Sequence, residues 1–304
     1  MRSADGQSLV QKLIAAAGVF ITNVAGRQWH SYPVLRSLRP DLIHVEVVGR
    51  GDGGTGVDYT INAATGFPLV TGPADYVGPI NHVLPAWDVS CGLYAVVSVL
   101  SALRHRDQTG SGSEIRLPLD DVALATAANL GFLTEAMVTG ARRPRLGNAI
   151  FGQYGCDFTS SDGVSFMVVA LTSRHFRDLV ALTGTADAVA AMPVDLEDEG
   201  TRYEHRDALN AVFAPWFAAH TAAEVSTALA ASSVLWERYQ DFAEVAASPR
   251  VRENPLFSML EQPRIGTYPA PGLPMSFDGV HTAPAAAPVL GQDNETVASE
   301  WLDA

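Results

Sequence analysis

A helical pattern over residues 7–17 (QSLVQKLIAAA) runs into an apolar stretch at 18–22, and a second apolar stretch follows at 42–48. Short apolar runs alternating with helical periodicity are the signature of βαβ units, so the chain is committed from its start to a parallel sheet with helices beside it. Residues 49–56 (GRGDGGTG) then form a turn whose bare backbone could approach a ligand. The glycine spacing fits neither a phosphate-binding loop nor a dinucleotide fingerprint, and no GK[ST] follows.

Residues 85–106 carry the strongest helical signal, with Asp88 placed to cap its start and Arg104 and Arg106 in its last turn. The pattern from Val89 to Leu103 is apolar nearly all round, which predicts a buried helix. A strand is expected at 114–119, an Ala-rich helix from about 120 to 139, a strand at 164–171, and helices at 173–183, 206–217 and 222–239. Beyond Asn254, Pro, Gly and turn residues predict a long irregular return path, and the last twenty or so residues look loose.

At 304 residues, with 47% hydrophobic and 17% charged side chains, the chain has the composition of one large or two ordinary globular domains. A net charge of −13 and a single lysine, Lys12, exclude nucleic acid as a partner, because such binding rests on Lys and Arg contacts to phosphate. No run reaches the roughly 18 consecutive apolar residues of a membrane span, and the first residues lack the build of a signal peptide. Cys91 and Cys156 have no CxxC spacing and fit a reducing compartment. The expectation is a cytoplasmic protein, with no membrane partner and no tightly bound cofactor.

The eight histidines are scattered without metal-ligand spacing, and no GxSxG elbow occurs, which leaves carboxylate chemistry. Asp120 and Asp121 end the stretch EIRLPL and open the following helix. Such a pair serves either to cap the helix or, if one carboxylate is free, as a nucleophile, since an aspartate is already an anion at neutral pH. Arg142 and Arg143 follow a helix end and either complement its dipole or attract phosphates and carboxylates. His82 precedes the long helix, and Tyr154 could hydrogen-bond a substrate oxygen or simply pack.

The stretch TGSGSEIRLPLDDVALA resembles the segment of the family III (formyl-CoA transferase-like) CoA-transferases in which the aspartate heading a helix is the nucleophile, and Asp121 falls on it. LIAAAGVFITNVAGRQWHSYPVLRSLRPDLIHVEVVGRG resembles another element of the family, with Asn23 on its coenzyme-A-contacting asparagine. RPRLGNAIFGQYGCDFTSSDG, carrying Asn148 and Tyr154, and the late IGTYPAPGLPMSF resemble two more.

VDYTINAATGFPLVTGP and INHVLPAWDVSCGLYA look like the branch that moves coenzyme A between the two carboxyls of mesaconyl-CoA, which makes His82 a candidate substrate contact. Val57 stands where the racemases of the family carry a histidine base, which argues against proton transfer at carbon. The resemblance implies an α/β fold with a Rossmann-like large domain, residues 1–156 and 248–304, and a smaller α/β domain, 157–247, in an interlocked homodimer. It further implies intramolecular transfer on an acyl-CoA dicarboxylate, with coenzyme A entering only as part of the substrate. Asp121 is then catalytic, Asn23, Arg142 and Arg143 bind coenzyme A, and His82, Asn148 and Tyr154 meet the substrate. The family's first strand and helix are expected to be missing here. An intermolecular transferase using a free acid, and a non-catalytic half-enzyme that needs a partner chain, are the alternatives.

Overall fold

In the computed structural model, which describes residues 3–302, the two early apolar runs are parallel strands. Helix α1 (Ala4–Ala17) starts at Ser3, whose hydroxyl accepts from the Gly6 N–H, and ends at Gly18 in the left-handed conformation. Strand β1 (Val19–Thr22), helix α2 (Tyr32–Leu38) and strand β2 (Ile43–Val48) follow. Two short helices, α3 (Asp58–Ala64) and α4 (Phe67–Val70), lead to the long α5 (Ala86–Thr109), strand β3 (Ser113–Pro118) and helices α6 (Leu119–Asn129) and α7 (Phe132–Thr139). The sheet order is β1-β2-β3, all parallel. Ile43 and Val45 are fully buried where α5 packs Ala102 against the sheet. On the opposite side of β2, His44 stacks on Phe20 and Tyr32 at ring distances of 5.5 and 6.0 Å.

The structure corrects three expectations in this part. The helix expected over 120–139 is two helices bent by 64°, broken at Gly131, which has φ of 81°. Helix α5 is not capped by Asp88; the buried Asp58 does this, accepting from the backbone N–H of Trp87 at 2.8 Å and of Asp88 at 3.2 Å. Nor is α5 buried all round. Trp87, Cys91, Ala95 and Ala102 face the interior, while Val89, Leu93, Val97 and Leu100 are exposed. By length and composition α5 is the one single helix among the described residues that could cross a bilayer, and its inner face is occupied by β2, β3 and α6.

The described chain divides into two compact units, residues 3–145 with 291–302, and Leu146–Leu290. This differs from the expected boundaries in where 146–156 and 248–290 fall. The second unit is built on the antiparallel sheet β4 (Tyr154–Thr159), β5 (Ser165–Ala170) and β6 (Leu235–Arg238). Helices α8 (Ser173–Thr183), α9 (Ala186–Ala190), α10 (Glu199–Glu204), α11 (Arg206–Ala219) and α12 (Ala222–Ala230) lie between β5 and β6 in the chain. Phe158 on β4 stacks on Phe217 of α11 at 4.3 Å in the main core.

The helix expected to run to Tyr239 therefore ends at Ala230 and gives way to β6. Helices α13 (Phe242–Ala247) and α14 (Pro249–Arg252) precede a return path that is not irregular: β7 (Phe257–Gln262) pairs with β8 (Gly266–Pro271), and β9 (Ser276–Phe277) with β10 (Val280–His281). The expected loose end contains α15 (Asn294–Val297) and a π-helical turn over Ala298–Leu302, which packs on α1.

Candidate active site

A cavity of about 810 Å³ lies at the carboxyl ends of β1 and β2, where parallel sheets place their ligand sites. Asn23 follows β1, Gly49 follows β2 and Leu119 opens α6 directly after β3, and all three line it. The remaining wall includes Val57, Asp88 and Cys91. Burial is the larger reason, and the nearby Asp88 carboxylate the smaller, that the Cys91 thiol is pushed above its ordinary pKa.

The two adjacent aspartates in the first turn of α6 have different surroundings. Asp120 donates its backbone N–H to the Gly49 carbonyl at 3.1 Å, and its carboxylate, with a side chain only 14% exposed, sits 3.7 Å from Nη2 of Arg50. Asp121 is exposed. Its carboxylate lies against the backbone of the 49–56 loop, so closely that a Cβ placed on Gly51 would be 3.5 Å from Oδ2. Arg116 steadies the same loop by donating to the Gly51 carbonyl at 3.1 Å. At Gly49 the absence of a side chain is obligatory, because a Cβ there would collide with the backbone nitrogen of Gly56. The free N–H groups and dipole of α6 favour an anion at this turn.

The other expected site residues scatter. Asn23 is exposed at the cavity wall. His82 does not line the cavity; its Nδ1 contacts the Leu84 carbonyl and its ring meets Trp87 edge-on at 6.2 Å. Arg142 is exposed, whereas Arg143 pairs with Glu135 at 2.6 Å and covers the Phe132 ring at 4.4 Å. Asn148 is exposed in the second unit. For Tyr154 the expected substrate contact is corrected: it is fully buried, and its hydroxyl donates to Asn210 Oδ1 at 2.8 Å, so it is a core residue. Cys156, also buried, donates to the same oxygen at 2.9 Å, and its thiol is pushed up to about 12, mainly by burial.

Sequence reasoning missed Asp88 and Cys91 as cavity residues, although their spacing on one helix face, with Ala95, was there to be read. It also missed the buried network in which Asn62 accepts from the Trp87 indole at 3.2 Å and donates to Asn81 at 3.1 Å, because those partners are far apart in the chain. Among the described residues no three His, Cys, Asp or Glu side chains converge as a metal-binding group.

The model of CoA-transferase family III matches residues 1–294. The chain belongs to this family. It is 41% identical to 2-methylfumaryl-CoA isomerase of Chloroflexus aurantiacus, over 99% of this chain and 76% of that protein. A succinate–glutarate CoA-transferase of Agrobacterium fabrum is 31% identical over 49% of this chain and 39% of its own length. Among solved structures, a CAIB/BAIF family protein from Brucella suis superimposes with a TM-score of 0.80 at 24% identity, covering 99% of this chain and 79% of that one. This family III CoA-transferase is accordingly an enzyme of acyl-CoA chemistry with an α/β fold.

Proposed function

We propose that the protein moves coenzyme A between the two carboxyls of one C5 dicarboxylate, with mesaconyl-CoA (2-methylfumaryl-CoA) as substrate, through an anhydride on Asp121. The observation that carries this reading is the division of labour in the first turn of α6. Asp120 is held by Arg50 and by Gly49, while Asp121 is exposed beside the loop that borders the cavity. The 41% identity to an enzyme named as an isomerase of 2-methylfumaryl-CoA supports the substrate class.

An Asp121 oxygen attacks the thioester carbonyl, the C–S bond breaks, and an acyl-aspartyl anhydride and the coenzyme A thiolate result. The thiolate attacks the aspartyl carbonyl, releasing the dicarboxylate and leaving the enzyme as a thioester. The dicarboxylate then attacks that thioester through its other carboxylate, and the thiolate returns to the substrate acyl group, which regenerates Asp121. No external acceptor is consumed, so the net change is an isomerisation. Backbone N–H groups of the glycine-bearing loop are suited to stabilise the oxyanion of each step. Asn23 on the cavity wall and the exposed Arg142 are the residues we assign to coenzyme A, and the exposed apolar face of α5 fits an interface with a second copy in a cytoplasmic homodimer.

A second reading, intermolecular transfer to a free acid, is favoured by the similarity to a succinate–glutarate CoA-transferase. Mesaconyl-CoA carrying ¹³C at one carboxyl separates the two. Positional scrambling followed by NMR, insensitive to added dicarboxylic acids and lost in Asp121→Ala, is the expected result. Incorporation of an added acid into thioester would instead establish the intermolecular reaction.

A further inference from the structure

We propose that Arg50 determines the specificity of this site, receiving the free carboxylate of a dicarboxylic acyl thioester whose other carboxyl is engaged by Asp121; this assignment rests on the transferase reading above.

The local charge makes a cation necessary. Asp52 lies on the loop, Asp120 and Asp121 at the start of α6 and Asp88 on the cavity wall, and the chain as a whole carries −13. A mono-thioester of a diacid brings one more negative charge into that field, which opposes its approach unless a positive group receives it. Three other arginines of this unit each already donate to a protein acceptor. Arg116 donates to the Gly51 carbonyl, Arg145 to the carbonyls of Thr71 and Pro68, and Arg143 to Glu135.

Arg50 is in a different condition. Its side chain is 40% exposed, and it lies 3.7 Å from both Asp52 and Asp120, too far for a hydrogen bond to either. Among the described residues its guanidinium donates no hydrogen bond, so its fork of N–H groups is held in place by charge with its donors uncommitted. It directly follows Gly49, which lines the cavity, and directly precedes Gly51, whose backbone lies against the Asp121 carboxylate. A planar fork of this kind matches a carboxylate through two parallel charge-assisted hydrogen bonds. Seating the free carboxylate there would hold the second reacting group of the diacid beside the nucleophile.

The test compares two thioesters that differ at one group. Tigloyl-CoA replaces the C4 carboxylate of C1-linked mesaconyl-CoA by a methyl group. In an Asp121→Asn background, where no anhydride can form, binding of both is measured by titration calorimetry with Arg50, Arg50→Gln and Arg50→Lys. The expected result is a roughly 10- to 100-fold loss of preference for mesaconyl-CoA over tigloyl-CoA in Arg50→Gln, with Arg50→Lys between, since it keeps the charge and loses the fork. Circular dichroism melts confirm that the variants fold.

Equal weakening of both thioesters, as loss of a mere loop anchor would give, overturns the assignment, and so does an unchanged preference. Failure of Asp121→Asn to bind either thioester removes the transferase reading and the assignment with it. Binding of mesaconyl-CoA with a preference indifferent to Arg50 removes the assignment alone.

Discussion

The carboxylate of Asp58 accepts the backbone N–H of Trp87 at 2.8 Å, so a residue 29 positions upstream starts the longest helix of the protein. With Asp58 buried, its removal leaves two helix-end donors without partners inside the fold. Asp58→Ala is expected to lower stability by about 2–3 kcal/mol, seen as a lower urea midpoint. An unchanged midpoint would mean that water or Asp88 takes over the cap.

The two aspartates of α6 separate by mutation. Asp121→Asn is expected to lower kcat by at least ~10³-fold, as loss of a nucleophile does, while Asp120→Asn retains activity within about tenfold. The reverse ranking, read in the same isotope-scrambling assay, would move the nucleophile to Asp120.

His44 gives the protein an acid-sensitive point. It is buried, neither ring nitrogen has a partner, and burial pushes its pKa below the ordinary histidine value, against smaller opposing effects of Glu46 and Glu114. A depressed folded pKa means that the unfolded chain takes up the proton first. The stability it contributes is present above the unfolded value of about 6.5 and is lost as pH falls through the folded one. His44→Phe, which keeps the stack on Phe20 and Tyr32, should flatten the fall in urea midpoint between neutral and mildly acidic pH. An identical pH profile would assign that fall to other groups.

Both thiols are raised in pKa by burial, but only Cys91 faces the cavity. Iodoacetamide at neutral pH should label both slowly, with Cys91 further protected by mesaconyl-CoA and Cys156 indifferent to it. Protection of Cys156 instead, read by peptide mass spectrometry, would place the substrate elsewhere.

The outer face of α5 tests the proposed dimer. Leu93→Arg or Val97→Asp puts a charge in an exposed apolar row and should shift the light-scattering mass of a dimer to that of a monomer. A wild-type protein that already runs as a folded monomer would remove the proposal.

Much of the first unit was legible because its signals are local. The apolar runs at 18–22 and 42–48 became β1 and β2, and the Asp120–Asp121 junction falls where a strand meets a helix. What stayed hidden depends on distant partners. Asp58 looks like any loop acid until Trp87 is brought to it, and Tyr154 looks like a site hydroxyl until Asn210 closes on it. Composition misled at two places. The Ala-rich stretch past residue 222 ran on as helix through Ser232 and Ser233 into what is β6, and the Pro- and Gly-rich segment after 254 concealed the ladder of β7 with β8. The reading of α5 as wholly buried failed because hydrophobicity marks a surface that wants cover without saying whether the same chain provides it.

The turn at Ala298–Leu302 packs on α1, so the first unit draws on both early and late parts of the chain, while Leu146–Leu290 is one uninterrupted stretch. Every contact that closes the β4-β5-β6 core forms within one continuous segment, whereas α1 meets its late partner only across the whole length of that segment.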